Sequence, residues 1–526
     1  MSDSTQKAVS EGGAYEVLKS RLAQQGQQLK SLTHSFNQQR QQVFGGQELK
    51  LVGKTNVQTD ARCIPIDMAQ VNQQLLFGYQ VHVGMKAVPA LQDVFGLYQL
   101  HDNEGTLRIE PTSLENSFLQ DIRFQHEFTE LFTYYRDARL SQISRQESTL
   151  YIAFQIGMRV EDRKVFRFQI NANSIEYLDS AGHASLTETV QHDFDWIATT
   201  RDDHIMGNHP HVSIADKLFV ECIGGDLTIK IEDNTNDGKG IYSEEVEDHH
   251  QSVADAHIDY AFVGELIALK IRPNRERKDR YFVYNPLTQS VVRTDALSVS
   301  AKALPEEHGI LYANGYVLAN GEHKQFDMPW QHLQFFQKVV SPNGEDILYF
   351  FFNMSQGYYV AFTYNMIEKQ FAAPMESHGF SLYPDGRLLV FQLSENAEAS
   401  TIHPLRVWDT PFSTSEHYAS VHAQTDGSSP LFHLGNAELV RALSSVLSVC
   451  QLAQTEEVTQ AAYEMLLKQS QSTLDHYHWL SHDYALGIGT AINELMVTAD
   501  KIIDEFAKVQ QLQSHASQST EQQQVV

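Results

Sequence analysis

Cysteine is nearly missing from this chain of 526 residues. The three present, Cys63, Cys222 and Cys450, lie far apart and are odd in number. That excludes a disulfide framework and a paired-cysteine zinc module, and it reads as reduced thiols in a cytoplasmic protein. Long apolar runs are missing too. The densest, ILYFFFNM at Ile347–Met354, falls far short of the ~20 residues a membrane helix needs. The opening MSDSTQKAVSEGG lacks the apolar core of a signal peptide. Positive charge is scarce: 39 Lys plus Arg stand against 66 Asp plus Glu, a net charge of −27. Such a surface repels nucleic acid over most of its area, and any contact with it must be local or made by a partner.

Catalytic signatures are equally sparse. There is no Gly-x-Ser-x-Gly elbow and no Gly-x-Gly-x-x-Gly loop. The only Gly-Lys-Ser/Thr is Gly53, Lys54 and Thr55, in VFGGQELKLVGKTNV. A P-loop needs a glycine, four residues and then Gly-Lys-Ser/Thr, so that successive N–H groups curl around phosphate. Here six residues separate Gly46 from Gly53. The stretch reads instead as a helix stop followed by a strand, and no residue is assigned to ATP binding.

What is there has three textures. Residues 1–13 are polar and expected to be disordered. Residues 14–46 form one helical arm, with Leu18, Leu22, Leu29, Leu32, Phe36 and Val43 on a heptad seam that Gly26 weakens. The arm either packs on its own domain or pairs with another chain. From 47 to 432, short β-rich runs alternate with Gly, Pro, Asn and Asp turns. Lys217, Glu265, Ile310, Ile347 and Leu388 open comparable strands at steps between 37 and 48 residues. Four short strands per such unit is the pattern of a propeller blade, so the expected body is β-propeller-like, with about six to eight blades. A pair of β-sandwiches is the alternative, because the N-terminal half repeats less cleanly. A helix is expected only around 121–142.

From 433 to 513 the pattern turns helical. Leu439, Val440, Leu443, Val446, Leu447 and Cys450 share one face, with Asn436 as the expected N-cap. Ile488, Ile492, Leu495, Ala499, Ile502, Phe506 and Val509 form a heptad seam suited to a bundle or to a coiled coil between two copies. Residues 514–526 read as a disordered Gln/Ser-rich tail.

Three constellations carry candidate chemistry. Asp202, Asp203, His204, His209 and His211 offer imidazole and carboxylate donors that suit Zn, Mn or Fe, as a metal-dependent propeller hydrolase would need; they also suit a polar inter-strand loop. DNTNDGKGIYSE places Asp233, Thr235, Asp237, Gly238 and Glu244 at positions 1, 3, 5, 6 and 12 of an EF-hand-like calcium loop. The strand-like lead-in and the Thr argue for an ordinary turn instead. Arg272, Arg275, Arg277, Lys278 and Arg280 make the single basic cluster, either a nucleic-acid contact or a solvated hairpin tip.

Several long phrases resemble the non-ATPase portion of bacterial DNA repair ATPases: YEVLKSRLAQQGQQL at 15–29, DFDWIATTRDDHIMGNHPHVSIADKLFVECIGGDLTIKIEDNT at 193–235, SPNGEDILYFFFN at 341–353 and HGFSLYPDGRLLVFQ at 378–392. The resemblance spans roughly 15–510. It implies a region that precedes long coiled coils and an AAA-type ATPase module, with ATP and Mg²⁺ bound there and not in these residues. It also implies a scaffold whose partner is a protein or that ATPase module, reached through the terminal helices. None of the family's ATP-binding residues has a counterpart in this sequence.

Overall fold

The computed structural model describes residues 13–46, 48–81, 88–103, 106–182, 186, 191–234, 236–422, 427–456 and 459–524, with backbone only from 513. Residues 1–12 of the expected N-terminal tail, and Thr235, lie outside the described residues. Seven helices are described: α1 (Gly13–Phe44), α2 (Ile122–Tyr134), α3 (Ser415–His422), α4 (Pro430–Leu434), α5 (Asn436–Ala453), α6 (Gln460–His476) and α7 (Ile488–Gln524). The rest is antiparallel sheet, short 3-10 helices and the segments that connect them.

The strands fall into seven meanders, each of which we call a blade. Blades 2 to 6 are separate four- or five-stranded sheets. Blades 1 and 7 are joined by the long first strand, β1 (Lys50–Val71). Its start pairs with Ser400–Asp409, and its end, after a break in register, pairs with Gln74–Val81. The N-terminal strand thus fastens the last blade to the first. Neighbouring blades bury apolar faces against each other. One core joins blades 1 and 2 through Phe95, Phe124, Phe154 and Phe166, and another joins blades 3 and 4 through Val220, Ile229, Leu269 and Phe282. Small sheets of this kind are stable only when stacked.

One inner strand in each of blades 3 to 7 begins at Leu218, Leu266, Gly309, Asp346 and Arg387, each within one residue of the periodic strands read from the sequence. Between blades 1 and 2, and between 2 and 3, the same step lengthens to 75 and 69 residues, from Gln74 to Thr149 and on to Leu218. Two insertions cause this. The first carries α2, whose Phe124, Phe128, Leu131 and Phe132 are buried. It fills the first half of the helix expected at 121–142, and a strand begins at Arg139. The second includes a strap, described from residue 191 to 203. It crosses other blades before entering blade 3. Gln191 accepts from the N–H groups of Ala301 (2.9 Å) and Phe335 (2.9 Å), and Thr199 donates its N–H to Ile258 (3.0 Å). The strap therefore links blades 4, 5 and 6.

The arm packs on its own chain. α1 lies against α5, α6 and α7 in one core with blades 4 to 6. Its buried seam is Tyr15, Leu22, Gly26, Leu29, Thr33, Phe36 and Arg40, whereas Leu18, Leu32 and Val43 are flanking and half-buried. The seam shifts because Gly26 is a contact, not a weak point: a β-carbon there would stand 2.9 Å from Ala453 Cβ. Close approach of two helices selects glycine despite its low helix propensity. We expect Gly26→Leu to destabilise the chain by about 1–3 kcal/mol by overpacking. Urea unfolding measures it, and an unchanged midpoint would refute the crossing.

In α7, Ile488, Ile492, Leu495, Ala499, Ile502 and Phe506 are all fully buried inside this bundle, so the seam from 488 to 506 is occupied within the chain. The helix continues to Gln524, into the segment expected to be a disordered tail. Gly435, not Asn436, takes the N-cap position of α5. The predicted apolar face of α5 is buried throughout. No helix among the described residues is long and apolar enough to cross a membrane. The three cysteines are buried free thiols.

Candidate functional site

The Gly-Lys-Thr stretch is settled by its backbone. Gly45 ends α1 with φ +76°, and Lys54 and Thr55 lie inside β1, paired with Arg406 and Leu405. Their N–H groups belong to a sheet and cannot curl around a phosphate, so the residues present do not fit ATP with Mg²⁺.

Blade 3 gathers part of the histidine set around a lysine. Lys230 is fully buried, with its ammonium 3.3 Å from Glu221 and 3.2 Å from His211 Nδ1. His211 Nε2 stands 2.9 Å from Asp233, and His209 Nδ1 is 3.4 Å from Glu221. His211 Nδ1 also lies 3.0 Å from the His209 carbonyl, an oxygen that can only accept. The cationic centre among these donors is an ammonium group of the protein itself. Asp203 instead caps its own turn, accepting from Thr200 N–H at 2.7 Å. Among the described residues no three His, Cys, Asp or Glu side chains come together as a metal shell.

The calcium-loop positions are likewise separated. Asp233 faces His211, and Asp237 accepts from Lys239 N–H at 3.3 Å within its own turn. Glu244 is on a strand, bound by Arg280 (2.6 Å) and Arg293 (3.1 Å). A carboxylate engaged by two guanidinium groups is not the bidentate ligand that position 12 requires. The basic cluster is matched by acids. Arg280 sits between Glu244 and Glu276, Arg275 is 3.4 Å from Asp248, and Arg272 is 3.9 Å from Asp279. Only Arg277 and Lys278 extend as exposed cations without an acid beside them in these pairs.

The strongest polar constellation lies where the helices meet the blades, and its residues were not singled out in the sequence. Arg40 of α1 is fully buried. It donates to Asn37 Oδ1 and Asn436 Oδ1 at 2.8 Å each, and it forms an ion pair with Glu345. Glu345 belongs to the turn between the first two strands of blade 6, SPNGED, where Asn343 Oδ1 accepts the Glu345 N–H at 3.1 Å. Asn436 donates back to the Asn343 carbonyl. One arginine thus joins α1, α5 and blade 6. Beside it, burial and the neighbouring Glu345 push the Asp346 carboxyl up to about 7. A signal existed: Arg40 continues the 3–4 spacing of Leu29, Thr33 and Phe36 on a helix seam, where a charge demands a buried partner.

A cleft of about 640 Å³ opens between the loops of blades 4 to 6 and helices α5 and α6. His308 lines it and is tied to Tyr364 Oη at 2.9 Å and Ser444 Oγ at 3.2 Å. Burial, with the charge of Lys369 second, pushes His308 down to about 3, so it stays a neutral imidazole. Lys369 reaches the Ser448 hydroxyl of α5, and burial lowers it to about 8. Glu306 and Glu307, consecutive residues at φ +53° and +59°, form the outer wall. Such left-handed backbone costs of order 1 kcal/mol or more per residue and persists only where surroundings hold it. The arrangement supplies hydrogen bonds that bind helix to blade.

A family model described as "ATPase involved in DNA repair" matches residues 28–478. No curated protein matches the sequence significantly. Among solved structures, the C-terminal WD40 domain of Sif2 is 10% identical, with 69% of this chain and 98% of that one covered, at a TM-score of 0.23. The β-propeller domain of the Trilobed protease from Pyrococcus furiosus is 9% identical over 68% of this chain and 97% of that one, at 0.18. The Saccharomyces cerevisiae core factor is 12% identical over 82% and 74%, at 0.21. The fold rests on the sheet topology rather than on these scores.

Proposed function

This chain belongs to the family "ATPase involved in DNA repair", and from that premise we propose that it is the family's recognition and coupling portion, not its catalytic one. The β body would take a partner, and the bundle of α1, α5, α6 and α7 would carry the state of that body to an ATPase module further along a longer chain or in trans. The observation that carries this is the Arg40 joint. A single buried ion pair and one continuous apolar core make bundle and blades a single mechanical unit. Loops presented at the two ends of stacked sheets suit partner recognition. Against a metal hydrolase and a DNA-binding surface stand Lys230 amid the histidines and the carboxylates paired with Arg272, Arg275 and Arg280.

Two measurements test it. Purified protein should hydrolyse no ATP above buffer, with or without DNA, and turnover that follows the protein through purification would overturn the reading. Trp479 reports on the bundle, and Trp196, Trp330 and Trp408 on the β body. In urea, single-tryptophan variants should report one shared transition. Separate midpoints for bundle and body would refute the coupling.

A further inference from the structure

The innermost strands of four blades enclose a second cleft, of about 380 Å³. Its walls come from the end of β1, Arg139–Gln146 of blade 2, Leu333–Val340 of blade 6 and Gly379–Leu382 of blade 7. The cleft is therefore axial, and it is not the joint between bundle and blades. Ile143, Phe336 and Phe380 give it an apolar lining.

Its polar groups do not balance. Arg145 is half-buried, burial pushes its pKa down, and no carboxylate opposes it among the described residues. Its Nη1 donates to the carbonyl and side-chain oxygens of Gln70, and its Nε to the Glu147 carbonyl at 3.1 Å. A guanidinium has five donors, and the two on Nη2 have no partner among the described residues. Ser144 is 4% exposed, lines the same cleft, and its hydroxyl has no hydrogen-bond partner among the described residues. Lys338 adds an exposed cation at the rim. Glu147, the one acid in the lining, is exposed and makes no ion pair with Arg145 among the described residues. In a protein of net charge −27, an axial cleft with uncompensated cationic donors is the exception.

We propose that this axial cleft binds a carboxylate carried on an apolar or aromatic body, with Arg145 Nη2 and the Ser144 hydroxyl as donors to the carboxylate and the phenylalanines against the body. A half-buried guanidinium without a counter-charge loses part of its hydration, and an anion that accepts its remaining donors offsets that loss. The carboxylate comes either from a small organic acid or from an acidic side chain of a partner protein. The proposal is independent of whether the bundle transmits motion.

Calorimetric titration of the full chain tests it with four probes: hippurate, hippuramide, N-acetyl-Phe-Glu-amide and N-acetyl-Phe-Gln-amide. We expect at least one acid to bind, with its neutral analogue weaker by about tenfold or more, as for a lost hydrogen bond to a charged group. Hippurate alone would identify a free acid as the ligand, and the peptide alone would identify a partner side chain. Arg145→Gln should abolish binding. Lys338→Gln, at an exposed position that leaves the fold unaffected, should weaken it and flatten its salt dependence. Failure of both acids to bind, or equal binding of acid and amide, would overturn the proposal. So would unchanged affinity in both variants.

Discussion

Arg40→Met is expected to lower the unfolding free energy of the whole chain by about 3–5 kcal/mol. The substitution keeps much of the aliphatic stem and removes the charge. It leaves Glu345 inside the joint without its counter-ion, and it strips Asn37 and Asn436 of a donor. The loss comes less from a missing attraction than from a carboxylate stranded away from water. The same reasoning predicts rescue. Glu345→Gln in the Arg40→Met background removes the stranded charge and should recover a large part of the loss. Urea midpoints of wild type, both single variants and the double variant measure the coupling directly. A loss below about 1 kcal/mol for Arg40→Met, or strict additivity of the two substitutions, would show that the pair does not hold bundle to blade.

Asp67 should give the chain an inverted pH dependence at one site. Its carboxyl is fully buried where blades 1, 2 and 6 meet, and it accepts from Ile143 N–H (2.9 Å), Met68 N–H (2.8 Å) and Tyr359 O–H (2.7 Å). Burial outweighs these donors and pushes it up from 3.8 to about 8. Because the folded value lies above the unfolded one, the folded state holds the proton more tightly. The associated stability is fully present below pH 3.8, declines as pH rises, and is gone above about 8. At about 1.4 kcal/mol per pH unit, the span from 3.8 to about 8 amounts to about 6 kcal/mol. Asp67→Asn lacks this ionisation. The stability of wild type minus variant should therefore fall by several kcal/mol between pH 5 and pH 8.5. Parallel pH profiles for the two proteins would show that Asp67 does not titrate in this range.

The periodic strands from Leu218 to Arg387 were readable because each blade repeats the same local pattern of apolar alternation and turn residues. Blades 1 and 2 were harder to read because α2 and the strap stretch their spacing. The seam of α1 is legible from the sequence at Leu22, Leu29 and Phe36 and not at its other buried positions. Gly26, Thr33 and Arg40 are not apolar, yet they occupy the buried positions. Two of them are there for a distant partner: Ala453 for the glycine, Glu345 for the arginine. The histidine and basic clusters were visible as residue types. Their roles were not, because Lys230, Glu244 and Asp248 had to be placed opposite them first.

The sequence by itself determined the local features: helical ends, a β body of repeating units, the glycine stop at the end of α1, and the lack of a phosphate loop. These follow from backbone sterics and from side-chain periodicity over a few residues. Only the tertiary structure decided that β1 would fasten the last blade to the first, that the strap would cross three blades, and that Arg40 would meet partners 305 and 396 positions away. A charge declares itself in sequence but its counter-charge does not, since nothing local encodes which distant turn will be folded against it.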